Sequence, residues 1–299
     1  MSTTVVNPVP TRAADEGAAP PSRRRLAGRP GTWLVWALVA FFFINLAGLV
    51  FSVVVSSLSV HWFGTWLPEG WTTHWYSDAW RNFDLSSVLA VTAEVSITVV
   101  VVSVLIGLPA SYVLARRNFP GKRLVMLLFL LPILIPPIAY GIPLATVLYK
   151  FNLAQTLPGV ILANLVPSVP FVVLTMTPFI EQIDPKIEAA ARMCGASTRA
   201  VFWYAIGPLL VPGILAASIL VLVRTVGMFE LTFLTAGPTS QTLVVVLYTN
   251  VFSAGIRAQQ SVDSMAVVYT ASMLVLLVVA LRFVNPTQLV TRLKDDSTA

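Results

Sequence analysis

Three charged side chains lie within long apolar stretches of this sequence: Glu94, Arg224 and Glu230. A charge at the centre of a bilayer costs roughly 3 kcal/mol, so these residues are candidates for lining a solute path. Two carboxylates on different apolar segments, Glu94 and Glu230, would suit a cationic solute. Arg224 and Glu230 are six residues apart, about 120° around a helix, which excludes a simple helical pair. The alternative is that each carboxylate reaches outward to water or pairs within the protein.

A proline-rich stretch, "LPILIPPIAYGIP", offers a second route to polar groups inside an apolar segment. Prolines free backbone carbonyls, which can line a cavity when neighbouring groups satisfy them. Tyr140 lies within this stretch and joins the candidate pathway residues. A helix that is kinked only for packing is the alternative interpretation.

The sequence offers no constellation for catalysis. It contains neither a GxxxxGK[ST] phosphate loop nor an HExxH zinc motif, and both histidines, His61 and His74, fall in one loop. The single cysteine, Cys194, excludes a disulfide within one chain. We therefore predict that the chain is not an enzyme and holds no metal or cofactor.

A short polar stretch, "EAAARMCGAS" at 188–197, interrupts the apolar sequence. Asp184 is a favourable N-cap, Pro185 a favourable first residue, and Gly195 a left-handed stop. These signals predict a short helix that ends at the glycine.

The side chains of this short helix divide into two groups. Glu188 and Arg192 are four residues apart and are expected to pair on its exposed face. Ala189, Ala190 and Met193 would form a small, shallow apolar face that lets a partner approach closely. The alternative is an ordinary interfacial helix that only anchors the apolar segment that follows.

A second short helix is expected after the glycine. Ser197 is its predicted N-cap. Gly207 and Pro208 are predicted to break this second helix and to turn the chain into the next apolar segment. The whole loop, 184–207, would lie against the membrane.

The composition of the chain indicates which elements position the candidate pathway residues and the short polar helix. Of the 299 residues, 57% are hydrophobic and 11% charged, and the mean hydropathy is +0.82. A soluble core cannot use so much apolar surface, so we predict an all-α polytopic membrane protein. The net charge of +6 is spread over short loops, which argues against binding of nucleic acid.

Apolar runs of about 20 residues or more predict six spans. The segment 242–252 is too short to cross and is predicted to be an interfacial or partly re-entrant helix on the outer side. Residues 1–30 and 291–299 are predicted tails, the first disordered, and 31–290 the membrane domain. The predicted spans are 33–57, 86–114, 122–149, 157–181, 208–234 and 264–285.

Charge placement predicts the orientation. With both termini in the cytoplasm, all of the 19 basic residues lie in cytoplasmic segments except Arg224 and the outer residues Arg81, Lys150 and Arg257. The outer loop 58–85 carries five tryptophans, typical of an interfacial aromatic belt. The loop 184–207 then lies in the cytoplasm.

The segment "DPKIEAAARMCGASTRAVFWYAIGPLLVPGI" resembles the EAA signature of permease subunits of binding-protein-dependent ABC importers. The segment 107–137 is also similar to the second-to-third span region of that family. The usual Ile and Leu before the proline are replaced by Ala205 and Gly207. The matching positions are Glu188, Ala189, Ala190, Gly195 and Pro208.

The resemblance implies a mechanism and a set of partners. It assigns Glu188, Ala189, Ala190 and Gly195 to a coupling helix that sits in a groove of a cytoplasmic ATP-binding subunit, where ATP would be hydrolysed. It also implies a second permease subunit, identical or homologous, and an extracytoplasmic solute-binding protein. Membrane lipid would surround the pair.

Subfamily features point in several directions. The segment "PEGWTTHWYSDAW" resembles spermidine/putrescine-type permeases, which favours polyamine-type solutes. The residues "GMFE" at 227–230 are closer to ferric-iron-type permeases, and sugar-type permeases share the same loop. A secondary transporter is the alternative of a different class, but the halves of the sequence show no repeat.

Overall fold

The computed structural model describes residues 30–62, 65, 67–252 and 258–283. This part of the chain is helical and contains no strand, as the sequence predicts for the fold class. The predicted tails lie outside the described residues, apart from Pro30. The helices are α1 Pro30–Leu58, α2 His74–Asn82, α3 Leu85–Arg116, α4 Lys122–Leu134, α5 Pro137–Lys150, α6 Leu157–Glu181, α7 Pro185–Met193, α8 Thr198–Ala200, a π-helix Val201–Ile206, α9 Gly207–Val226, α10 Glu230–Thr235, α11 Leu243–Phe252 and α12 Gln259–Phe283.

The described part of the chain divides into two units, with the boundary between Val50 and Phe51. In the first unit, the described part of α1 is apolar around its whole circumference, and its large side chains, such as Trp33 and Phe42, are exposed. A long helix that is apolar on every side is typical of a membrane span.

The core of the second unit forms where α3, α6 and α9 pack together. Glycine allows two of these contacts: a Cβ on Gly107 would lie 2.7 Å from Val172, and one on Gly213 would lie 2.8 Å from Phe179. The fully or almost fully buried apolar residues of this core include Val95, Val99, Val172, Met176, Ile180, Leu210, Ala217 and Val221.

The predicted third span, 122–149, is broken. It consists of α4 and α5, which meet at an angle of 98°. Ile135 and Pro136 between them adopt extended conformations (ψ 131° and 132°), because a residue that precedes proline disfavours the helical region. Five described helices are long and apolar enough to cross a membrane, or six if this bent pair counts as one span.

The predicted break at Gly207 and Pro208 is wrong. The π-helix runs directly into α9, and the Gly207 N–H donates to the carbonyl of Phe202, five residues earlier. The wider π-turn accommodates the ring and the missing N–H of Pro208 without ending the helix. A Cβ on residue 207 would lie 2.9 Å from that same carbonyl oxygen, which favours glycine there.

The predicted fifth span also ends earlier than expected. α9 stops at Val226, and Glu230 begins the separate short helix α10. Arg224 and Glu230 therefore lie on different helices, because Gly227 ends α9 between them. The predicted angle between the two residues around one helix does not apply.

The short helix expected at 242–252 is present as α11. Its first backbone N–H, on Leu243, donates to the Thr92 hydroxyl of α3 at 2.9 Å. α12 begins at Gln259, ahead of the predicted 264.

The predicted aromatic loop 58–85 contains the helix α2. Two of its aromatic residues hold this helix in place: the Trp75 indole donates to the Ser59 carbonyl at 2.8 Å, and the Tyr76 hydroxyl bonds to Ser57 at 2.8 Å. Trp71 and Trp80 are exposed, as an interfacial belt requires.

Candidate functional site

The helix α7 has the predicted ends. The Asp184 carboxylate accepts a hydrogen bond from the Lys186 N–H at 2.9 Å, and Pro185 occupies the first helical position. Gly195 has φ +83°, a left-handed conformation that side chains with a Cβ adopt poorly. Both end signals of this helix are confirmed.

The expected second short helix is also present, in modified form. The Ser197 hydroxyl accepts from the Ala200 N–H at 3.3 Å and caps α8. The chain then continues as the π-helix, where Trp203 is 71% and Tyr204 85% exposed.

Glu188 does not lie on the exposed face of α7, contrary to the prediction. It is 8% exposed and faces α3. Arg116 Nε donates to its Oε1 at 2.7 Å, and the Tyr112 hydroxyl donates to its Oε2 at 2.8 Å. Arg192, the predicted partner, also forms an ion pair with this carboxylate, at the longer distance of 4.0 Å. The reason is that the C-terminal turn of α3 supplies a closer cation.

The Arg116 guanidinium also binds the chain that leaves α6. Its second terminal nitrogen donates to the Ile183 carbonyl at 2.8 Å. The Tyr112 ring contacts Phe202 of the π-helix edge to face, with centroids 5.8 Å apart. We call Tyr112, Arg116 and Glu188 the loop clamp. Sequence reasoning missed it because its residues are 72 and 76 positions apart.

The predicted small apolar face of α7 is exposed, and the exposed charged residues Lys186 and Arg192 flank it. Ala189 and Ala190 are exposed, and Met193 is 84% exposed. The small side chains leave the helix backbone open to close approach by another protein.

Three of the four candidate pathway residues lie within electrostatic range of one group, but they share no described hydrogen bond or ion pair. Arg224 and Glu230 both act on the Tyr140 hydroxyl, which is buried and has no hydrogen-bond partner among the described residues. The Arg224 guanidinium also lies 5.5 Å from the centre of the Phe171 ring. Glu94 is exposed on α3, and no described hydrogen bond or ion pair joins it to the other three.

Sequence reasoning missed a fourth polar group near α10. The Asn164 amide nitrogen donates to the Val160 carbonyl at 2.9 Å and to the Thr232 hydroxyl at 3.2 Å. Its amide oxygen is buried and lacks a partner among the described residues. No sequence pattern identifies this pair, because α6 and α10 are far apart in the chain.

Aromatic rings extend from α10 to α11. Phe229 stacks on Phe233 with centroids 5.1 Å apart and contacts Tyr248 at 4.4 Å. Tyr248 contacts Phe252 at 4.5 Å, and Phe252 is 72% exposed. This aromatic ladder begins at the residue before Glu230.

Comparison with known proteins identifies a family. The model of the family described as binding-protein-dependent transport system inner membrane component matches residues 103–286.

Individual relatives have different solutes in their names. The chain is 31% identical to the trehalose transport system permease protein SugB of Mycobacterium tuberculosis over 63% of its own length and 70% of that protein. It is 29% identical to the diacetylchitobiose uptake system permease protein NgcG of Streptomyces coelicolor, over 51% of each chain. It is 32% identical to the molybdenum transport system permease protein ModB of Haemophilus influenzae, over 56% of this chain and 81% of that protein.

Two solved structures share the fold. A bacterial ABC transporter that imports the acidic polysaccharide alginate aligns with TM-score 0.68 and 15% identity, covering 84% of this chain and 96% of that chain. The MetNI methionine ABC transporter aligns with TM-score 0.55 and 19% identity, covering 69% of this chain and 96% of that chain.

Proposed function

Since the chain belongs to the family of inner membrane components of binding-protein-dependent transport systems, we propose that α7 couples ATP hydrolysis on a partner subunit to a solute path beside α10. The chain is the membrane permease of an ABC importer and a multi-pass membrane protein. The observation that carries the coupling role is a capped helix between α6 and α9 that presents an exposed apolar face.

The docking face consists of Ala189, Ala190 and Met193. Small side chains permit close packing, and an exposed methionine adapts to the shape of a groove. An ATP-binding subunit that receives this face would move α7 as it binds and hydrolyses ATP. The positive-inside distribution of basic residues supports a cytoplasmic position for α7.

Two further partners complete the proposed importer. A second permease subunit, identical or homologous, would pair with this chain, and an extracytoplasmic solute-binding protein would deliver the solute. The alginate transporter has been solved with an alginate pentasaccharide-bound periplasmic protein. Membrane lipid would surround the permease pair.

For the solute, the polyamine expectation gains no support from the relatives, whose names specify trehalose, diacetylchitobiose and molybdenum. We propose a neutral, hydroxylated solute of the carbohydrate class. A polyamine would meet the positive Arg224, and an oxyanion would meet the negative Glu230. A neutral solute avoids both repulsions and can use both side chains, with Asn164, as hydrogen-bond partners.

The aromatic ladder supports the same solute class. Binding sites for small molecules combine apolar and aromatic surface with a few placed polar groups. Phe229 and Glu230 are adjacent in sequence and bring these two kinds of group together. Oxyanions remain the second candidate, because Arg224 could bind them and molybdenum permeases are among the relatives.

Copurification tests the coupling role. The permease is purified with its ATP-binding subunit, and Ala190→Arg is compared with Asn118→Arg, which introduces the same charge at an exposed loop position after α3. Ala190→Arg should lower recovery of the ATP-binding subunit on the order of tenfold, because a long charged side chain blocks the docking face. Equal recovery from both variants would contradict docking through α7.

The solute class is tested separately. The ligand retained by the associated solute-binding protein is identified by mass spectrometry, and uptake of that ligand is measured in proteoliposomes. A neutral saccharide is expected. A polyamine, ferric iron or an oxyanion would contradict the carbohydrate proposal but leave the coupling role of α7 untouched.

A further inference from the structure

The acidic residue of α7 faces the wrong way to bind a partner. We infer that Glu188 is a positioning residue that fixes α7 to α3 within the permease, and that it makes no contact with the ATP-binding subunit. This inference depends on the proposed coupling role of α7, since it assigns how the helix is held while it transmits motion.

Both carboxylate oxygens of Glu188 are already engaged. Arg116 Nε binds one at 2.7 Å, and the Tyr112 hydroxyl binds the other at 2.8 Å. The side chains of Arg116 and Glu188 are each 11% exposed, so the pair is nearly shielded from water. Because Glu188 is only 8% exposed and faces α3, a cation on a partner subunit would have to enter this buried place between α7 and α3 to reach the carboxylate. It would also lie beside the positive Arg116, which repels it.

The loop clamp joins α7 to the core of the membrane domain. Arg116 binds Glu188 and, at 2.8 Å, the Ile183 carbonyl that follows α6. α3 and α6 pack on each other through buried residues such as Val99 and Val172. A displacement of α7 is therefore carried to α3 through Glu188 and to the end of α6 through the Ile183 carbonyl.

The inference also defines what the partner must offer. With Glu188 turned inward, the exposed side chains of the second half of the helix are the apolar ones of Ala189, Ala190 and Met193 and the cationic one of Arg192. The groove that receives α7 is thus apolar where it contacts the two alanines and Met193. It needs no arginine or lysine for Glu188.

A spin label on the native Cys194 tests the clamp independently of transport. Cys194 is exposed, lies directly after α7, and is the sole cysteine of the chain. The full chain is labelled with a nitroxide and placed in lipid nanodiscs. Glu188→Gln should raise the nanosecond mobility of the label, because the charged link to Arg116 is lost. Glu181→Gln removes a carboxylate that contacts Lys122 only at 3.9 Å, so its spectrum should match that of the unsubstituted chain.

The two spectra decide the question. Mobility that rises only in Glu188→Gln supports the clamp. Identical spectra for Glu188→Gln and the unsubstituted chain would overturn it, whether or not α7 couples to an ATPase.

A charge exchange in the assembled complex tests the positioning role. Glu188→Arg and Arg116→Glu should each reduce solute-stimulated ATP hydrolysis, on the order of tenfold, since each leaves two like charges together in a buried place. Combining them restores opposite charges within one subunit and should recover most of the stimulation. Arg117→Gln, at the exposed neighbouring arginine, is the control for loss of positive charge.

Recovery in the double variant supports an internal pair. If Glu188 instead bound the ATP-binding subunit, Glu188→Arg would stay defective with Arg116→Glu present, which would overturn the inference. If the charge exchange lowers the amount of assembled complex, the mobility of the spin label on Cys194 in the Glu188→Gln variant still tests the inference. If α7 does not couple to the ATPase at all, the result differs, because solute-stimulated ATP hydrolysis would then survive Ala190→Arg as well.

Discussion

At the scale of single residues, the backbone of Gly195 is the most constrained feature of the loop 184–207. Its φ of +83° is unfavourable for side chains with a Cβ by roughly 1–2 kcal/mol, although a Cβ there would meet no atom within 4 Å. We predict that Gly195→Val shifts α7 and abolishes uptake while the chain still inserts in the membrane. Uptake per inserted chain measures this.

Gly121 provides a matched control for that substitution. It has φ +86° and equally open surroundings, but it precedes α4 instead of following α7. Gly121→Val should carry a similar cost in stability and retain uptake. Equal loss of uptake in both variants would show that stability alone, and not the position of α7, explains the effect.

The two intramembrane carboxylates should also differ. Glu230 lies within electrostatic range of Tyr140, whereas Glu94 is exposed and separate. Glu230→Gln should lower uptake per assembled complex about tenfold, because the proposed hydrogen bond from a solute hydroxyl would then go to a neutral amide instead of a charged carboxylate. Glu94→Gln should leave uptake unchanged. A loss of uptake in Glu94→Gln but not in Glu230→Gln would instead indicate a solute path at the exposed face of α3.

These residue contacts show what sequence reasoning can and cannot provide. The caps at Asp184 and Ser197 depend on neighbours a few positions away, so local patterns predicted them correctly. The closer partners of Glu188 lie on another helix, whereas local spacing predicted only its longer ion pair, with Arg192 at 4.0 Å. Burial of Glu188 is a tertiary property, because it depends on where the end of α3 lies.

At the scale of elements, the π-helix explains how the loop joins α9 without a turn. The Gly207 N–H binds the Phe202 carbonyl, and a Cβ on residue 207 would come within 2.9 Å of that oxygen. Gly207→Ala should therefore destabilise the protein by about 1–3 kcal/mol through overpacking. Gly48→Ala is the control, because no atom lies within 4 Å of a Cβ at that helical position.

The apparent melting temperature in detergent measures both substitutions. A decrease only for Gly207→Ala is expected. Equal melting temperatures would contradict the close approach at the π-turn.

The break between α4 and α5 was within reach of sequence reasoning but was not predicted. Consecutive prolines at 136 and 137 disfavour helical conformation at the preceding positions. The count of apolar residues outweighed this signal, because the run was long enough to span. At the start of α9, the sequence predicts a break at Pro208 that the structure does not contain. The first turn of a helix tolerates proline, and here the preceding turn is the wider π-turn.

At the scale of the whole molecule, the orientation follows from charge and stays a prediction. In a Cys194→Ser background, Ser77→Cys in α2 should react with an impermeant thiol reagent added outside intact cells. The native Cys194 in the otherwise unchanged chain should react only after the cells are opened. Labelling of Cys194 from outside would reverse the topology and remove α7 from the ATPase side.

The bend between α4 and α5 also affects how well the protein insulates the membrane. At 1.5 Å per residue the two helices are each about 20 Å long, shorter than a hydrocarbon core of about 30 Å. Because they meet at 98°, at most one of them can stand upright in the bilayer. Prolines 136 and 137 supply no N–H to the carbonyls four residues earlier, and water or polar neighbours must solvate those oxygens at membrane depth. The bend therefore leaves two backbone carbonyls of an apolar segment without their helical N–H partners, and a membrane protein must shield such groups to keep the bilayer closed to ions.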